Sequence, residues 1–183
     1  EAGHMVSINA VFWMFVILYA RSGGMRGWAR EILLAFAVIL GIFIISVLEI
    51  FVPFIRDTLP QSSPAALFWL RIIIILGLVF FGYQTPNLPK IAQTGRFARE
   101  RLQDILLGFF IGAINGYLVW GTIWFYMAQA NYPFGIISPP DGNTAMGDAA
   151  LRLLTMMPPH FLTTPAIYFA VAVAFVFVMV VFI

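Results

Sequence analysis

The sequence contains no cysteine and few charged side chains. Without cysteine, disulfides, thiolate nucleophiles and cysteine-ligated metals are excluded. Charged residues make up only 10% of the 183 residues and hydrophobic residues make up 62%, whereas a typical soluble domain has about 25% charged residues. Because so few polar side chains are available to face water, most of the surface must contact lipid. We therefore predict an integral membrane protein.

Patterns that indicate catalysis are also scarce. His160 is the only histidine outside residues 1–5, which excludes bis-histidine haem ligation and zinc motifs of the His-Glu-x-x-His type. The sequence also lacks a Gly-x-Ser-x-Gly nucleophile motif, paired intramembrane aspartates and a phosphate-binding P-loop. We expect no enzymatic activity, no bound cofactor or metal, and no nucleic acid as a partner.

Five apolar runs, separated by glycine, proline and arginine, account for most of the chain. They cover residues 6–20, 28–52, 64–83, 105–127 and 165–183. Runs of about 20 residues can cross the hydrocarbon core as helices, and continuous rather than alternating hydrophobicity argues against a β-barrel. The first run is short, about 22 Å as a helix, so it either thins the bilayer locally or continues as a helix toward Gly23 and Gly24. We therefore predict an all-α, polytopic transmembrane helical bundle of four to five spans.

The runs divide the chain into a four-span core, residues 6–127, a connection, residues 128–164, and a fifth span, residues 165–183. We expect residues 1–5 to be a tag remnant. In the connection, Asn143 or Thr144 is suited to cap a short helix that ends before Pro158. Asp148 and Arg152 are spaced to pair on this helix, which we expect to lie at the outer face.

Basic residues are unevenly distributed between the two sides of the predicted bundle. The connections between runs one and two and between runs three and four carry seven of the ten Lys and Arg residues, and the other side carries only Arg56 and Arg152. Basic loops remain in the cytoplasm during insertion. The pattern therefore predicts a multi-pass protein of the cytoplasmic membrane, with its N-terminus outside.

Gly108, Gly112 and Gly116 follow one another at four-residue spacing in the fourth run. This spacing forms a groove along one helical face, so that another helix backbone can approach closely. Asn115 lies near the same face and can hydrogen-bond a neighbouring helix or line a pathway. The neighbour can belong to the same chain or to a second copy.

Two ionisable residues lie within the predicted spans at a similar depth. Glu49 is near the end of the second run, and Arg71 is about two turns into the third run from the same side. We predict that they form an ion pair. The pair either links two helices or lets one of its members sense a proton or an anion in an outward-facing cavity.

Further charges gather at the cytoplasmic face of the predicted bundle. The start of the second run carries Arg26, Arg30 and Glu31, and Asp104, at the start of the fourth run, can reach either arginine. Residues 91–102 are typical of a basic amphipathic helix that lies on anionic headgroups or docks a cytoplasmic partner. The basic residues of this helix are Arg96, Arg99 and Arg101, and Lys90 directly precedes it.

Two blocks of sequence carry a family resemblance. The first, from Arg26 to Glu31, reads Arg-Gly-Trp-Ala-Arg-Glu; the second begins at Asp104, reads Asp-Ile-Leu-Leu-Gly and continues with Gly112 and Gly116. In order and separation, the two blocks resemble two motifs of the colicin V production (CvpA) family of small bacterial inner-membrane proteins. These motifs are Arg-Gly-aromatic-x-basic-Glu and Asp-x-Leu-Leu-Gly-x-x-x-Gly-x-x-x-Gly. The chain departs from the family at Ile105, where the family frequently has an arginine directly after the aspartate.

The resemblance covers residues 7–127. It implies a non-enzymatic protein tied to colicin export and envelope homeostasis, which acts through helix–helix, lipid or partner contacts. The residues themselves leave two alternatives. One is a small oligomeric transporter or channel with Glu49, Arg71 and Asn115 along its path, and the other is an accessory subunit of a larger membrane complex, such as an energy-transducing one. Expected partners are a second copy of the chain or another membrane protein.

Overall fold

The computed structural model describes residues 7–84, 98–134, 137 and 139–182, without the side chains of residues 98, 99, 181 and 182. These residues form an all-α helical bundle, as predicted. The helices are α1 (Ile8–Arg26), α2 (Trp28–Phe51), α3 (Leu59–Ser62), α4 (Pro64–Tyr83), α5 (Ala98–Gln129), α6 (Ala145–Leu154), α7 (Pro158–Phe161) and α8 (Ala166–Phe182), with a π-helical turn at Phe54–Thr58.

Four of these helices, α1, α2, α4 and α5, are long and apolar enough to cross a membrane. The prediction of a multi-pass membrane protein is therefore confirmed at this level. The predicted fifth span corresponds to α8, which is apolar but only 17 residues long, or about 26 Å. Large side chains such as Ile17, Phe110 and Phe169 are 63% or more exposed, which suits a surface that is solvated by lipid.

Helix α1 lies antiparallel against α5 over much of its length, and α2 packs between α5 and α4. The contacts between α1 and α5 run in opposite directions along the two helices: Gly23 with Gly108, Tyr19 with Gly112, and Val16 with Gly116. Leu34, Val38 and Ile75 are completely buried in the core. Helix α8 packs on the outside of α2 through two aromatic pairs, Phe36 with Phe177 and Phe43 with Tyr168.

The predicted connection between the first two runs is helical rather than a loop. Helix α1 continues past the apolar run to Arg26, so it has 19 residues. Only Gly27 separates α1 from α2, which places Arg21 and Arg30, both expected in the connection, on helices. Gly27 has a φ of 87°, a conformation that glycine adopts without steric cost, and this allows one residue to make the turn.

The segment around Pro60, between the second and third runs, is also helical. The chain passes from α2 through the π-helical turn Phe54–Thr58 and α3 before α4 begins at Pro64. Both prolines lie in the first turn of a helix, where the missing N–H does not remove a helical hydrogen bond. Proline therefore starts helices here and does not interrupt them.

Most of the predicted basic amphipathic helix lies outside the described residues, including Lys90 and Arg96. Its last residues, with Arg99 and Arg101, belong to the start of α5, so this part continues directly into the fourth run. The short helix after the fourth run is present as α6. The Thr144 hydroxyl oxygen caps it by accepting the N–H of Gly147 at 3.0 Å.

Candidate functional site

Polar side chains form two clusters at opposite ends of the bundle. The Glu31 cluster lies where α1 meets α2 and comprises Arg26, Glu31, Asp104 and Asn115. The Arg71 cluster lies where α4 follows α3 and comprises Glu49, Arg71, Tyr126 and Gln129.

In the Glu31 cluster, one buried carboxylate joins four helices. Both Glu31 and Asn115 are 0% exposed. Glu31 Oε1 accepts from Arg26 Nη1 at 2.8 Å, and Glu31 Oε2 accepts from Asn115 Nδ2 at 2.7 Å. The Arg26 guanidinium carbon also lies 4.1 Å from the ring centre of Tyr83 on α4. Because both carboxylate oxygens have a donor, the burial of this charge is compensated.

Asp104 caps α2 from another helix. Its Oδ1 accepts the backbone N–H of Trp28 at 3.3 Å, and a Cβ added to Gly27 would lie 3.0 Å from the same oxygen. The residue before a helix normally supplies such a cap from its own side chain, but glycine has none. Asp104 therefore contacts the Trp28 backbone, and Arg26 pairs with Glu31. That Asp104 can also reach Arg30 stays a prediction.

The contact between Glu31 and Asn115 was missed by the sequence analysis. The residues are separated by 84 positions, and Glu31 was interpreted only as a favourable charge at a helix start. A signal was present, since Glu31 lies three residues before Leu34 and seven before Val38, on the buried stripe of α2. A charge on an otherwise apolar helical face indicates a buried partner.

The glycine groove of α5 is filled by α1. A Cβ on Gly112 would overlap the Tyr19 carbonyl oxygen and lie 3.0 Å from the Gly23 Cα, and a Cβ on Gly116 would lie 2.8 Å from the Val16 Cα. Gly108 likewise lies against the Gly23 backbone. Of the two neighbours that the sequence allowed, the one present is a helix of the same chain. The reciprocal glycine, Gly23, was not recognised from the sequence.

In the Arg71 cluster, one guanidinium joins α2, α4 and α5. Arg71 Nε donates to Glu49 Oε1 at 2.7 Å, and Arg71 Nη1 donates to Gln129 Oε1 at 2.7 Å. The Arg71 guanidinium carbon lies 4.6 Å from the Tyr126 ring centre. The Arg71 side chain is 11% exposed and that of Glu49 is 31% exposed, so the carboxylate is the more accessible partner.

A cavity of about 480 Å³ opens beside this ion pair. Polar groups contributed by α2, α7 and the segment before α8 line it, namely Ser46, His160, Thr163 and Thr164. Its apolar wall includes Ile42 and Phe125. A concave site that combines apolar walls with a few polar groups is typical of small-molecule binding. Among the described residues, no three His, Asp or Glu side chains are grouped to hold a metal ion.

A scan against protein-family models, a search of curated proteins and a search of solved structures each found no match. The fold and the two clusters define the class of protein: a multi-pass α-helical membrane protein with an ion pair between side chains at each end.

Proposed function

We propose that this chain is a non-enzymatic membrane protein of the CvpA type, which supports export or envelope homeostasis through contacts with lipid and a membrane partner. The main observation in support of this proposal is that the two sequence blocks that resemble the family are in contact in the structure. Trp28 and Asp104, 76 positions apart, are joined by a hydrogen bond, and a Cβ on Gly108 would lie 3.2 Å from the Gly27 carbonyl carbon. Blocks that form one structural unit support a shared role.

The chemistry of this unit favours a positioning role over a reactive one. Both oxygens of Glu31 accept hydrogen bonds, from Arg26 and from Asn115. Glu31 and Asn115 are inaccessible, and the Arg26 side chain is 16% exposed. Buried ionic groups of this kind are best known for specifying the register of packed helices. In this proposal the contact between the two blocks fixes the packing of α1, α2 and α5 relative to one another. The basic ends of these helices are then available to a partner.

The proposal includes a location in the bacterial cytoplasmic membrane, with the Glu31 cluster on the cytoplasmic side. Charge distribution supports this orientation, because Arg21, Arg30 and Arg101 lie on the helices near this cluster. The loops and short helices of the opposite end, within the described residues, carry only two arginines, Arg56 and Arg152. An excess of arginine marks the cytoplasmic side of multi-pass proteins.

Complementation tests this function. The chain is expressed in a colicin V-producing bacterium that lacks its own member of the family, and exported colicin activity is measured. We expect export to be restored, to be reduced by Asp104→Ala and to be unaffected by Asp148→Ala, since Asp148 lies on α6, away from the Glu31 cluster. A chain that inserts at normal levels without restoring export contradicts the proposal.

A small transporter or channel is the second candidate, and the cavity beside Glu49 and Arg71 is the observation that favours it. We expect purified chain in liposomes to carry protons or chloride, measured with pH- and chloride-sensitive dyes, and Arg71→Gln to abolish the flux. Arg152→Gln, which removes an exposed charge, is the matched control. Flux equal to that of empty liposomes contradicts this candidate.

A further inference from the structure

We propose that a groove between α1 and α5, beside the Glu31 cluster, binds the headgroup of an anionic phospholipid. The groove has a volume of about 660 Å³. The residues that line it include Arg21, Gly24 and Met25 from α1, and Arg101, Ile105 and Phe109 from α5. It is separate from the Arg71 cluster, which lies at the other end of the bundle.

The charge that faces this groove is positive. Arg21 and Arg101 are exposed, and within the described part of the chain neither forms an ion pair. The other two ionic residues of the groove have partners: Arg26 binds Glu31, and Asp104 accepts from the Trp28 N–H. Two guanidinium groups therefore remain, and guanidinium binds phosphate oxygens through paired, charge-assisted hydrogen bonds.

Apolar side chains next to these charges identify the ligand as a lipid. Met25 is 75% exposed, Phe109 44% and Ile105 41%. They are continuous with exposed Leu106 and Phe110 on the outer surface of α5, where acyl chains would lie. A phospholipid uses both parts of the groove, since its phosphate meets the arginines and its chains follow the apolar wall. A free anion would leave that wall unused.

The geometry of the two helices matches a headgroup that lies along them. Because α1 and α5 are antiparallel, Gly24 lies opposite Ile105 and Phe109; a Cβ on Gly24 would meet these residues at 3.5 Å and 3.7 Å. Arg101 and Phe109 are two turns apart, or about 12 Å along α5. The absence of a side chain at Gly24 keeps the middle of this groove open.

Lipid binding can be measured on the purified chain and requires neither the export role nor the flux. Native mass spectrometry and thermal unfolding are carried out in detergent with added phosphatidylglycerol or phosphatidylcholine. We expect phosphatidylglycerol to remain bound and to raise the unfolding temperature, and phosphatidylcholine to do neither. The R21Q/R101Q double variant should bind phosphatidylglycerol at least about tenfold more weakly, since it loses charge-assisted hydrogen bonds from both arginines.

The R56Q/R152Q double variant is the matched control, because it removes the same number of exposed arginines from the opposite end. It should retain phosphatidylglycerol binding. Equal binding by R21Q/R101Q and the unmodified chain overturns the proposal, as does equal loss in both double variants. Inorganic phosphate is added as a third ligand; stabilisation equal to that by phosphatidylglycerol would mean that the groove is a general anion site and not a lipid site.

Discussion

At the residue scale, ionic chemistry in the described part of the bundle is concentrated on Glu31 and Arg71. Each is shielded from water, and each is held by partners on other helices. The two sites differ in access. Glu31 is completely buried, so it can act only through the geometry that it holds. The partner of Arg71, Glu49, is partly exposed beside a cavity, so this pair can respond to a ligand.

Replacing Glu31 tests the first site. Glu31→Ala leaves the Arg26 guanidinium and the Asn115 amide without their acceptor, and we expect it to lower the free energy of unfolding by about 3 kcal/mol or more. Thermal unfolding in detergent measures this. Glu100→Ala, at an exposed position near the start of α5, should change stability by less than about 0.5 kcal/mol. Similar effects of the two substitutions would show that Glu31 does not hold the helices together.

A double-mutant cycle tests the second site. We expect Glu49→Ala and Arg71→Ala to be coupled by about 1 kcal/mol or more, with the double variant more stable than the sum of the single losses indicates. Each single change leaves a partly buried charge without its partner. The Asp148 and Arg152 pair is exposed and should show about 0.3–0.5 kcal/mol. Additive losses at Glu49 and Arg71 would mean that the ion pair contributes nothing to stability.

At the element scale, the contact between α1 and α5 depends on the absence of side chains. Gly23 and Gly112 lie against each other's backbone, and such close approach maximises dispersion contacts between helices in lipid. The same antiparallel contact sets the positions of Gly27 and Asp104, and so brings the Glu31 cluster together. The Glu31 cluster therefore forms only if α1 and α5 pack closely.

Gly112→Ala tests this contact with the smallest possible side chain. The new methyl would overlap the Tyr19 carbonyl oxygen, so the helices must separate, and we expect a loss of about 1–3 kcal/mol in unfolding free energy. Gly77→Ala on α4 is the control, because a Cβ there meets nothing within 4 Å. It should be neutral or stabilising by up to about 1 kcal/mol, since alanine favours helix. A neutral Gly112→Ala would exclude close packing at this position.

At the scale of the whole molecule, the two clusters lie at opposite ends of the bundle, which the proposed topology places at opposite membrane faces. The absence of native cysteine allows the proposed orientation to be measured with single-cysteine variants and a membrane-impermeant maleimide. We expect Ser62→Cys and Asn143→Cys to react in intact cells, and Glu100→Cys to react only after permeabilisation. All three positions are exposed. The reverse labelling pattern would invert the proposed topology.

Local patterns were sufficient to predict much of this fold. The apolar runs that begin at Trp28 and Pro64 predict the starts of α2 and α4. The cap of α6 is Thr144, one of the two residues predicted for it. The turns were predicted less well. Gly27 was interpreted as part of a loop between the first two runs, although a single glycine can reverse the chain. The helical turns around Pro60 were not predicted, although a proline can begin a helix. Such junctions depend on the packing of the helices that follow.

By itself, the sequence determined that this is a helical membrane protein, because hydrophobicity and length act within each segment and need no knowledge of its neighbours. It also indicated a pairing of Glu49 with Arg71 from their shared depth. Only the tertiary structure decided that α1 fills the glycine groove, that Glu31 meets Asn115 and that a cavity opens beside Arg71. Each of these depends on side chains brought together from distant parts of the chain, where several partners were sterically possible and the packing of the whole bundle selected one.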